Sequence, residues 1–314
     1  MLTTDEENGR TNASGVFNNV IRDTSKKVQT ASCGCCGLWK SNRRLERNTI
    51  RSLSKELMNA KFQLLEIPAI VIHIHGGGFV SMSSQSHQAY TRVWASETGI
   101  PIFSIDYRLA PEDPYPAALN DVWQAYYWII TYCKSKLGIS PKKVLVSGDS
   151  AGGNLTYAIC NLAIATGFRV PDLLMPHYPA MIMSATMFSP SLLLAVDDFI
   201  LPAGFLQLCI KSYVQDADAE KDPFLSPAVT PDSMIEKYPS VRLLMAGNDP
   251  LRDESYKYML KLLKMKVDAK FIEYQMFPHA FLNFDAPIVG IGECEKPILR
   301  GAAWLKEFAN KALV

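Results

Sequence analysis

Residues 148–153 place three glycines around a single serine, and this short segment limits the folds open to the chain more than any other feature. Residues 143–147 before it form a short apolar, β-rich run, and residues 154–165 after it follow a helical pattern. Glycine on both sides of Ser150 allows a sharp, strained turn, because a Cβ there would collide with neighbouring backbone. The segment therefore predicts a buried strand, a tight turn at Ser150 and a helix that follows directly.

The alternation of strand and helix extends along the chain from about residue 67. Short β-rich runs that end at glycine or a polar loop lie at 69–75, 101–107, 143–149, 175–181, 241–247 and 269–277. Helical spacing of apolar residues is clear over 119–133 and 298–308. This alternation predicts an α/β fold with a mostly parallel central sheet flanked by helices. We assign 67–314 to one catalytic domain, 182–240 to a helical cap insertion within it, and 1–66 to a weakly ordered N-terminal arm or cap segment.

Composition narrows the classes of partner and location. With 48% apolar residues the chain can bury a large core, and its formal net charge of +1 gives no reason to expect nucleic acid as a partner. The most apolar segment, 192–210, is interrupted by Asp197, Asp198 and Pro202, so we expect no membrane span. The N-terminal residues lack the basic and apolar regions of a secretory signal, and we expect a cytoplasmic protein.

Ser150 is the candidate nucleophile, since its turn has the G-x-S-x-G pattern that exposes a serine hydroxyl above a sheet. Such a serine needs a base, and the base needs a carboxylate to orient it. Among five histidines, only His279 lies in a loop after the last predicted strand. Asp249 is the first carboxylate after the run 241–247, and we favour it over Asp253, which falls at the start of the next helix. The order serine, aspartate, histidine is the one this kind of turn requires.

A second glycine cluster lies about 75 residues upstream, where Gly76, Gly77 and Gly78 follow His75. Consecutive glycines let bare backbone N–H groups point at one place, and such donors stabilise the oxyanion of acyl transfer. We assign this glycine cluster and Ala151 to an oxyanion hole, with the amides of Gly77, Gly78 and Ala151 as donors and Gly76 shaping the loop. The alternative, a phosphate-binding loop, is disfavoured because the Lys-Ser/Thr pair of that motif is absent.

Five segments together resemble the hormone-sensitive lipase family of esterases and lipases: HIHGGGFVSMSSQSH, SIDYRLAPEDPYPAAL, VSGDSAGGNL, DPLRDES and PHAFLNF. The stretches RVPDLLMPHYPA and LSPAVTP are more similar to the animal members than to the small bacterial esterases. The resemblance covers roughly residues 68–285. It implies an α/β-hydrolase fold with a helical cap.

The same resemblance implies a function and further site residues. The activity would be hydrolysis of acylglycerols, sterol esters or similar lipid esters in lipid degradation, without metal or organic cofactor. A lipid-droplet or membrane surface would be a candidate place for it. His75 and Glu112, together with Tyr107 and Arg108, would brace the active-site loops, and Asp149 would stabilise the turn at Ser150. Two features depart from the family pattern. Ala280 replaces the usual glycine after the histidine, and the long regulatory insertion expected between 190 and 240 is absent, so we do not carry over control by phosphorylation.

Two other functions remain open. A short-chain carboxylesterase or deacetylase would use the same residues on smaller substrates. The second alternative is a small-molecule receptor without enzymatic activity, because the plant gibberellin receptors share the fold but have lost the catalytic histidine. The presence of Ser150, Asp249 and His279 together argues against a receptor.

The cysteines divide into two groups. Cys33, Cys35 and Cys36 cluster beside basic residues, and three interpretations remain: a weakly ordered arm, S-acylation with a basic patch as a membrane anchor, or a metal site that lacks a fourth ligand nearby. Cys133, Cys160, Cys209 and Cys294 stand alone in apolar surroundings, which predicts reduced core residues.

Overall fold

Six strands form one sheet in the computed structural model, which describes residues 64–184, 186, 188–285 and 290–311. In chain order the strands are β1 (Leu65–Ile74), β2 (Ile102–Ile105), β3 (Ile139–Asp149), β4 (Leu173–His177), β5 (Ser240–Asn248) and β6 (Ala269–Pro278). The α-helices of the described residues are α1 (Gln88–Thr98), α2 (Ala117–Tyr132), α3 (Ala151–Thr166), α4 (Pro190–Leu194), α5 (Ala203–Val214), α6 (Asp232–Ile235), α7 (Arg252–Lys264) and α8 (Glu295–Asn310). The 3₁₀ turns lie at Pro227–Val229, Phe281–Phe284 and Gly292–Cys294.

The strand order is β2-β1-β3-β4-β5-β6, and every neighbouring pair is parallel. The predicted α/β class with a parallel sheet is therefore confirmed. Because all strands run the same way, their carboxyl ends meet at one edge of the sheet, where ligands bind in folds of this type. The loops after β1, β3, β5 and β6 all start from that edge.

Alternate side chains of the central strands pack against two helical layers, as expected for strands buried on both faces. Ile70, Ile72 and Ile74 of β1 belong to the core beneath α2, α3 and α7. Ala69 and Val71 of the same strand belong to the core beneath α1 and α8. The predicted helical spacing over 119–133 is confirmed, since the matching positions of α2 are its buried face.

Several predicted strand boundaries are wrong. Strand β2 ends at Ile105 rather than 107, and β3 begins at Ile139 rather than 143. The run 175–181 was expected to be one strand, but β4 ends at His177, because Tyr178 has a φ of 33° and Pro179 has no N–H to continue the ladder. Strand β1 begins at Leu65 rather than 69, and its first residues pair with Ile139 and the residues after it. Backbone pairing of this kind does not need apolar side chains, so the composition of this segment gave no signal.

The predicted cap insertion 182–240 contains α4, α5, the turn Pro227–Val229 and α6. The predicted arm 1–66 lies almost entirely outside the described residues, and so do Cys33, Cys35 and Cys36. In the described part of the chain, Cys133, Cys160, Cys209 and Cys294 are buried and free of disulfides, as predicted. None of the helices there has the length and apolar character needed to cross a bilayer.

Candidate active site

Ser150 occupies a strained turn between β3 and α3, with φ 53° and ψ −116°. Non-glycine residues rarely adopt a positive φ, and the surrounding structure must enforce it. The neighbouring glycines make the turn feasible, because a Cβ on Gly152 would collide with the carbonyl oxygen of Ile74 and one on Gly148 with that of Gly152. The tight turn predicted from residues 148–153 is therefore present.

The structure brings Ser150, His279 and Asp249 together from three separate loops. Nε2 of His279 lies 2.8 Å from Oγ of Ser150, and Nδ1 lies 2.8 Å from Oδ2 of Asp249. The other oxygen of Asp249 accepts the N–H of Leu251 at 2.8 Å, which fixes the carboxylate. All three side chains are at most 9% exposed. This arrangement can transfer the hydroxyl proton of Ser150 to the imidazole.

Asp253, the alternative acid, has a different role in the structure. Its Oδ2 accepts the backbone N–H of Ser191 at 2.9 Å, and its other oxygen pairs with Arg252. The geometry thus favours Asp249 as the partner of His279, and Asp253 ties the start of α4 to the start of α7.

The protonation of His279 follows from its partners. A carboxylate only accepts hydrogen bonds, so Nδ1 carries the proton and, in the neutral ring, Nε2 is free to accept one from Ser150. Burial acts to lower the pKa of His279, but the adjacent carboxylate of Asp249 outweighs burial, and the pKa is raised above its usual value. The ring is therefore a stronger base than an isolated histidine.

Three residues that line the cavity beside Ser150 have unpaired amides. Within the described part of the chain, the N–H groups of Gly77, Gly78 and Ala151 have no hydrogen-bond partner. Gly77 and Gly78 have φ values of 115° and 62°, and a Cβ on Gly78 would lie 2.6 Å from Sγ of Cys209. Ala151 is also the first residue of α3, where the helix dipole favours negative charge.

Gly76 does not supply a donor to the oxyanion hole, in agreement with the loop-shaping role that we assign to it. Its N–H lies 3.0 Å from Oδ1 of Asp149 and 3.1 Å from Nε2 of His87. This amide is already paired, so Gly76 shapes the loop and leaves the donor role to the next two glycines.

The assigned supporting residues are placed differently from one another. The ring of His75 stacks on that of Tyr107 at 4.1 Å, and the Tyr107 hydroxyl donates to the carbonyl of His75 at 2.8 Å. Arg108 pairs with Asp121 and Asp113, which holds its loop. Glu112 is exposed and makes no hydrogen bond or ion pair with the described residues, so its expected bracing role stays a prediction. A motif match gives no information about the direction in which an exposed side chain points.

Sequence reasoning named Asp149 but missed its buried polar partners behind the turn. Asp149, 1% exposed, accepts a hydrogen bond from the hydroxyl of Tyr90 at 3.0 Å and lies 3.2 Å from Nε2 of His87. His87 and Tyr90 are three residues apart at the start of α1 and therefore share one side of the helix. This spacing was the only local sign that the two side chains act together. It did not identify their partner Asp149, which lies 62 residues from His87 and 59 residues from Tyr90 along the chain.

A cavity of about 210 Å³ opens beside Ser150 and His279. Most of its wall is apolar and comes from the segment after β4 and from α5, including Ile182, Met183, Leu201, Phe205, Leu206 and Ile210. Asn283 also lines it, and the Oδ1 of this residue is buried without a partner among the described residues. The cavity can therefore accept a mainly hydrocarbon group next to the reactive hydroxyl.

The geometry agrees with comparisons to known proteins. A family model described as alpha/beta hydrolase fold matches residues 71–283. The chain belongs to the α/β-hydrolase fold family. The resemblance to the hormone-sensitive lipase group is confirmed, because the chain is 46% identical to hormone-sensitive lipase of Bos taurus over 49% of its own length.

Other members of this family extend the likeness over more of the fold. Carboxylic ester hydrolase LipN of Mycobacterium tuberculosis is 34% identical over 68% of this chain and 57% of its own. The solved structure of a hyperthermophilic esterase from the archaeon Pyrobaculum calidifontis is 31% identical, covers 78% of each chain and has a TM-score of 0.71. The alignments span between 15% and 20% of the length of the animal hormone-sensitive lipases.

Within the described residues, histidine, cysteine and carboxylate side chains form no group of three or more that could hold a metal ion.

Proposed function

We propose that this protein is a serine hydrolase that cleaves carboxylic esters through an acyl-enzyme on Ser150. The observation that carries the proposal is the pair of 2.8 Å contacts that join Ser150 to His279 and His279 to Asp249. Its family membership supports the same activity, since relatives of this fold carry the names lipase, carboxylesterase and carboxylic ester hydrolase.

In the acylation half of the reaction, Oγ of Ser150 attacks the ester carbonyl carbon while Nε2 of His279 takes the hydroxyl proton. The oxygen of the tetrahedral intermediate becomes negative and accepts hydrogen bonds from the amides of Gly77, Gly78 and Ala151. The bond to the alcohol then breaks, and His279 returns the proton to the leaving oxygen. Asp249 holds the ring in the required tautomer and stabilises its charged form throughout.

Deacylation repeats these steps with water as the nucleophile. His279 takes a proton from the water, whose oxygen attacks the acyl carbon, and the same amides hold the oxyanion. The intermediate collapses to the free acid, and His279 returns the proton to Oγ of Ser150. No metal or organic cofactor is needed in this scheme.

We propose lipid esters such as acylglycerols or sterol esters as the substrates, met at a lipid-droplet or membrane surface. Support comes from the apolar wall of the cavity and from exposed side chains of α4, α5 and the loop between them. Phe199 is 95% exposed, and Leu194 is 87% exposed. Phe205 both lines the cavity and reaches the surface, which joins the exposed apolar residues to the site.

The volume of the cavity favours a second candidate, a short-chain carboxylesterase or deacetylase. A space of about 210 Å³ lies below the size of ordinary ligand pockets, and a long acyl chain would have to extend beyond it. Rates of hydrolysis on a series of esters with acyl chains from two to eighteen carbons separate the candidates. A rate that peaks at the short end would remove the lipid-ester proposal and leave the ester hydrolase.

A fluorophosphonate probe tests the activity itself, because it forms a covalent bond only with an activated serine. We expect labelling of the wild-type protein at Ser150 and loss of both labelling and ester hydrolysis in Ser150→Ala. Ser147→Ala is the matched control, since Ser147 is buried three residues earlier and donates to the carbonyl of Met175. Unlabelled wild-type protein without esterase activity would leave the receptor interpretation instead.

A further inference from the structure

A buried polar cluster lies behind the candidate site, and the proposed reaction does not use it directly. It consists of Asp149, His87, Tyr90 and His73, all of them at most 1% exposed. The hydroxyl of Tyr90 lies 3.0 Å from Oδ1 of Asp149 and 2.7 Å from Nε2 of His73. We call these four residues the rear cluster.

Asp149 connects the two halves of the candidate oxyanion hole. One half is Ala151, two residues further along the chain, and the other is the glycine loop after β1. Oδ1 of Asp149 accepts the N–H of Gly76, the residue directly before the donors Gly77 and Gly78. The two halves come from different strands, so this carboxylate is a direct link between them.

His87 supplies the second anchor of the same carboxylate. Its Nδ1 lies 3.0 Å from the carbonyl oxygen of Ser83, which can only accept, so Nδ1 carries a proton. Its Nε2 lies 3.2 Å from Oδ2 of Asp149. A charged His87 ring would donate from Nδ1 to the carbonyl oxygen of Ser83 and from Nε2 to Oδ2 of Asp149. The N–H of Gly76 would then donate to Oδ1 of Asp149 alone.

Electrostatics support this charged arrangement. Burial acts to raise the pKa of Asp149, but the adjacent His87 outweighs burial and holds that pKa well below its usual range. Burial acts to lower the pKa of His87, but the adjacent carboxylate of Asp149 outweighs burial, and this pKa is raised above its usual value. His73 on β1 and His75 directly after it also lie near His87, and burial lowers the pKa of both, so they add little competing charge.

We propose that His87 is a positioning residue for the oxyanion hole, and this inference rests on the proposed ester hydrolysis. Its imidazole clamps the carboxylate of Asp149, the carboxylate fixes the amide of Gly76, and the amides of Gly77 and Gly78 are thereby aimed at the same point as that of Ala151. His87 acts through this chain of contacts and does not touch the reacting atoms.

Removal of the clamp leaves a buried carboxylate with only two donors, Gly76 and Tyr90, and with freedom to rotate. Such a change misaligns donors that act only when the oxyanion forms, so it should weaken the transition state more than the bound ester. The loss of one complete donor lowers kcat about 10²–10³-fold in serine hydrolases. A misaligned pair should give a loss of about tenfold to hundredfold.

The experiment compares His87→Ala with His87→Gln, whose side-chain amide can still donate to Asp149. Both are assayed for kcat and KM on a soluble p-nitrophenyl ester and for Ki of an alkyl trifluoromethyl ketone, which forms an oxyanion on attack by serine. In His87→Ala we expect kcat to fall about tenfold to hundredfold and Ki to rise by a similar factor, while KM stays within about twofold. His87→Gln should recover most of the loss.

His177→Gln is the matched control, because the His177 side chain is also buried and contacts Ser147 but makes no hydrogen bond to the Asp149 carboxylate or to the glycine loop. We expect its Ki to match that of the wild type. Where His87→Ala does not fold, Tyr90→Phe removes one hydrogen bond to the same carboxylate and should raise Ki in the same direction.

The outcomes separate this inference from the proposed function. A wild-type protein that hydrolyses esters, with unchanged Ki in folded His87→Ala and Tyr90→Phe, overturns the positioning role alone. Equal losses in His87→Ala and His177→Gln also overturn it, since they would reflect general damage to the core. A wild-type protein with neither esterase activity nor fluorophosphonate labelling overturns the proposed function first.

Discussion

Ala280, directly after His279, adopts the left-handed backbone conformation with a φ of 62°. A Cβ in this region costs roughly 1–2 kcal/mol, which glycine avoids. Glycine loses more entropy on folding, so we expect Ala280→Gly to raise the free energy of unfolding by about 0.5–1 kcal/mol. Urea denaturation measures the change. Ala125→Gly, in the middle of α2, is the control and should lower stability by about 1 kcal/mol. A loss of stability at position 280 would contradict the strain argument.

The raised pKa of His279 gives a pH dependence with a definite sign. The ring acts as a base only when neutral, so kcat/KM should fall as pH falls through the raised pKa, above the ordinary value of about 6.5. In Asp249→Asn the carboxylate is gone and burial remains, so this acid limb should move to lower pH. The plateau rate should also fall about 10⁴-fold.

Asp253→Asn is the control for this pH profile, because Asp253 pairs with Ser191 and Arg252 rather than with His279. We expect its acid limb to coincide with that of the wild type in the same assay. A limb that moves in Asp253→Asn and stays in Asp249→Asn would reverse the assignment of the acid.

Individual residues differ in how well the sequence identified them. Ser150, Asp249 and His279 could be chosen because each follows a recognisable strand, and a parallel sheet collects such loops at one edge. His87 and Tyr90 could not, because their partner Asp149 is distant along the chain and only the packing of α1 against the sheet brings them together. The pairing of the Gly76 amide with Asp149 could not be predicted either, because the sequence does not show which amides of a glycine loop already have a partner.

At the scale of elements, the join between β3 and α3 should tolerate no added carbon. A Cβ on Gly152 would collide with the carbonyl oxygens of Ile74 and His75, both backbone atoms of a buried strand end. We expect Gly152→Ala to destabilise the protein by about 3 kcal/mol or more, since the backbone must shift. Thermal and urea unfolding would measure this loss, together with reduced fluorophosphonate labelling.

Gly204→Ala provides the matched comparison. Gly204 lies in the first turn of α5, and a Cβ there would have no neighbour within 4 Å. Alanine favours the helix by up to about 1 kcal/mol, so the variant should be as stable as the wild type or slightly more stable. Equal destabilisation at positions 152 and 204 would show that the turn is not specially constrained.

The elements themselves were largely predictable, because strands buried on both faces need apolar runs and helices need a repeated apolar face. The positions at which the strands begin and end were harder to predict. The first residues of β1 pair with residues near Pro141, a segment whose composition is typical of a turn. Strand β4 stops at a backbone conformation at Tyr178 that no side-chain pattern reveals.

At the scale of the whole molecule, the site and the exposed apolar side chains of α4, α5 and their connecting loop meet at the cavity. Phe205 links them, since it lines the cavity and is 41% exposed. Leu65, also exposed, begins β1 and so lies at the amino edge of the sheet, away from the site. This separation supplies a test of where a lipid surface would bind.

We expect the double variant Leu194→Ser with Phe199→Ser to lose activity on lipid aggregates and keep it on soluble esters. Each fully buried Leu or Phe contributes about 1.5–3 kcal/mol, so partial insertion of both into a lipid surface should account for at least about tenfold in binding. Hydrolysis of a triacylglycerol emulsion coated with phosphatidylcholine, compared with p-nitrophenyl butyrate, measures the difference. Leu65→Ser should behave like the wild type on both substrates. Equal rates of the double variant and the wild type on the emulsion would mean that the exposed residues 194 and 199 do not dock on lipid, even though the serine and its partners still cleave esters.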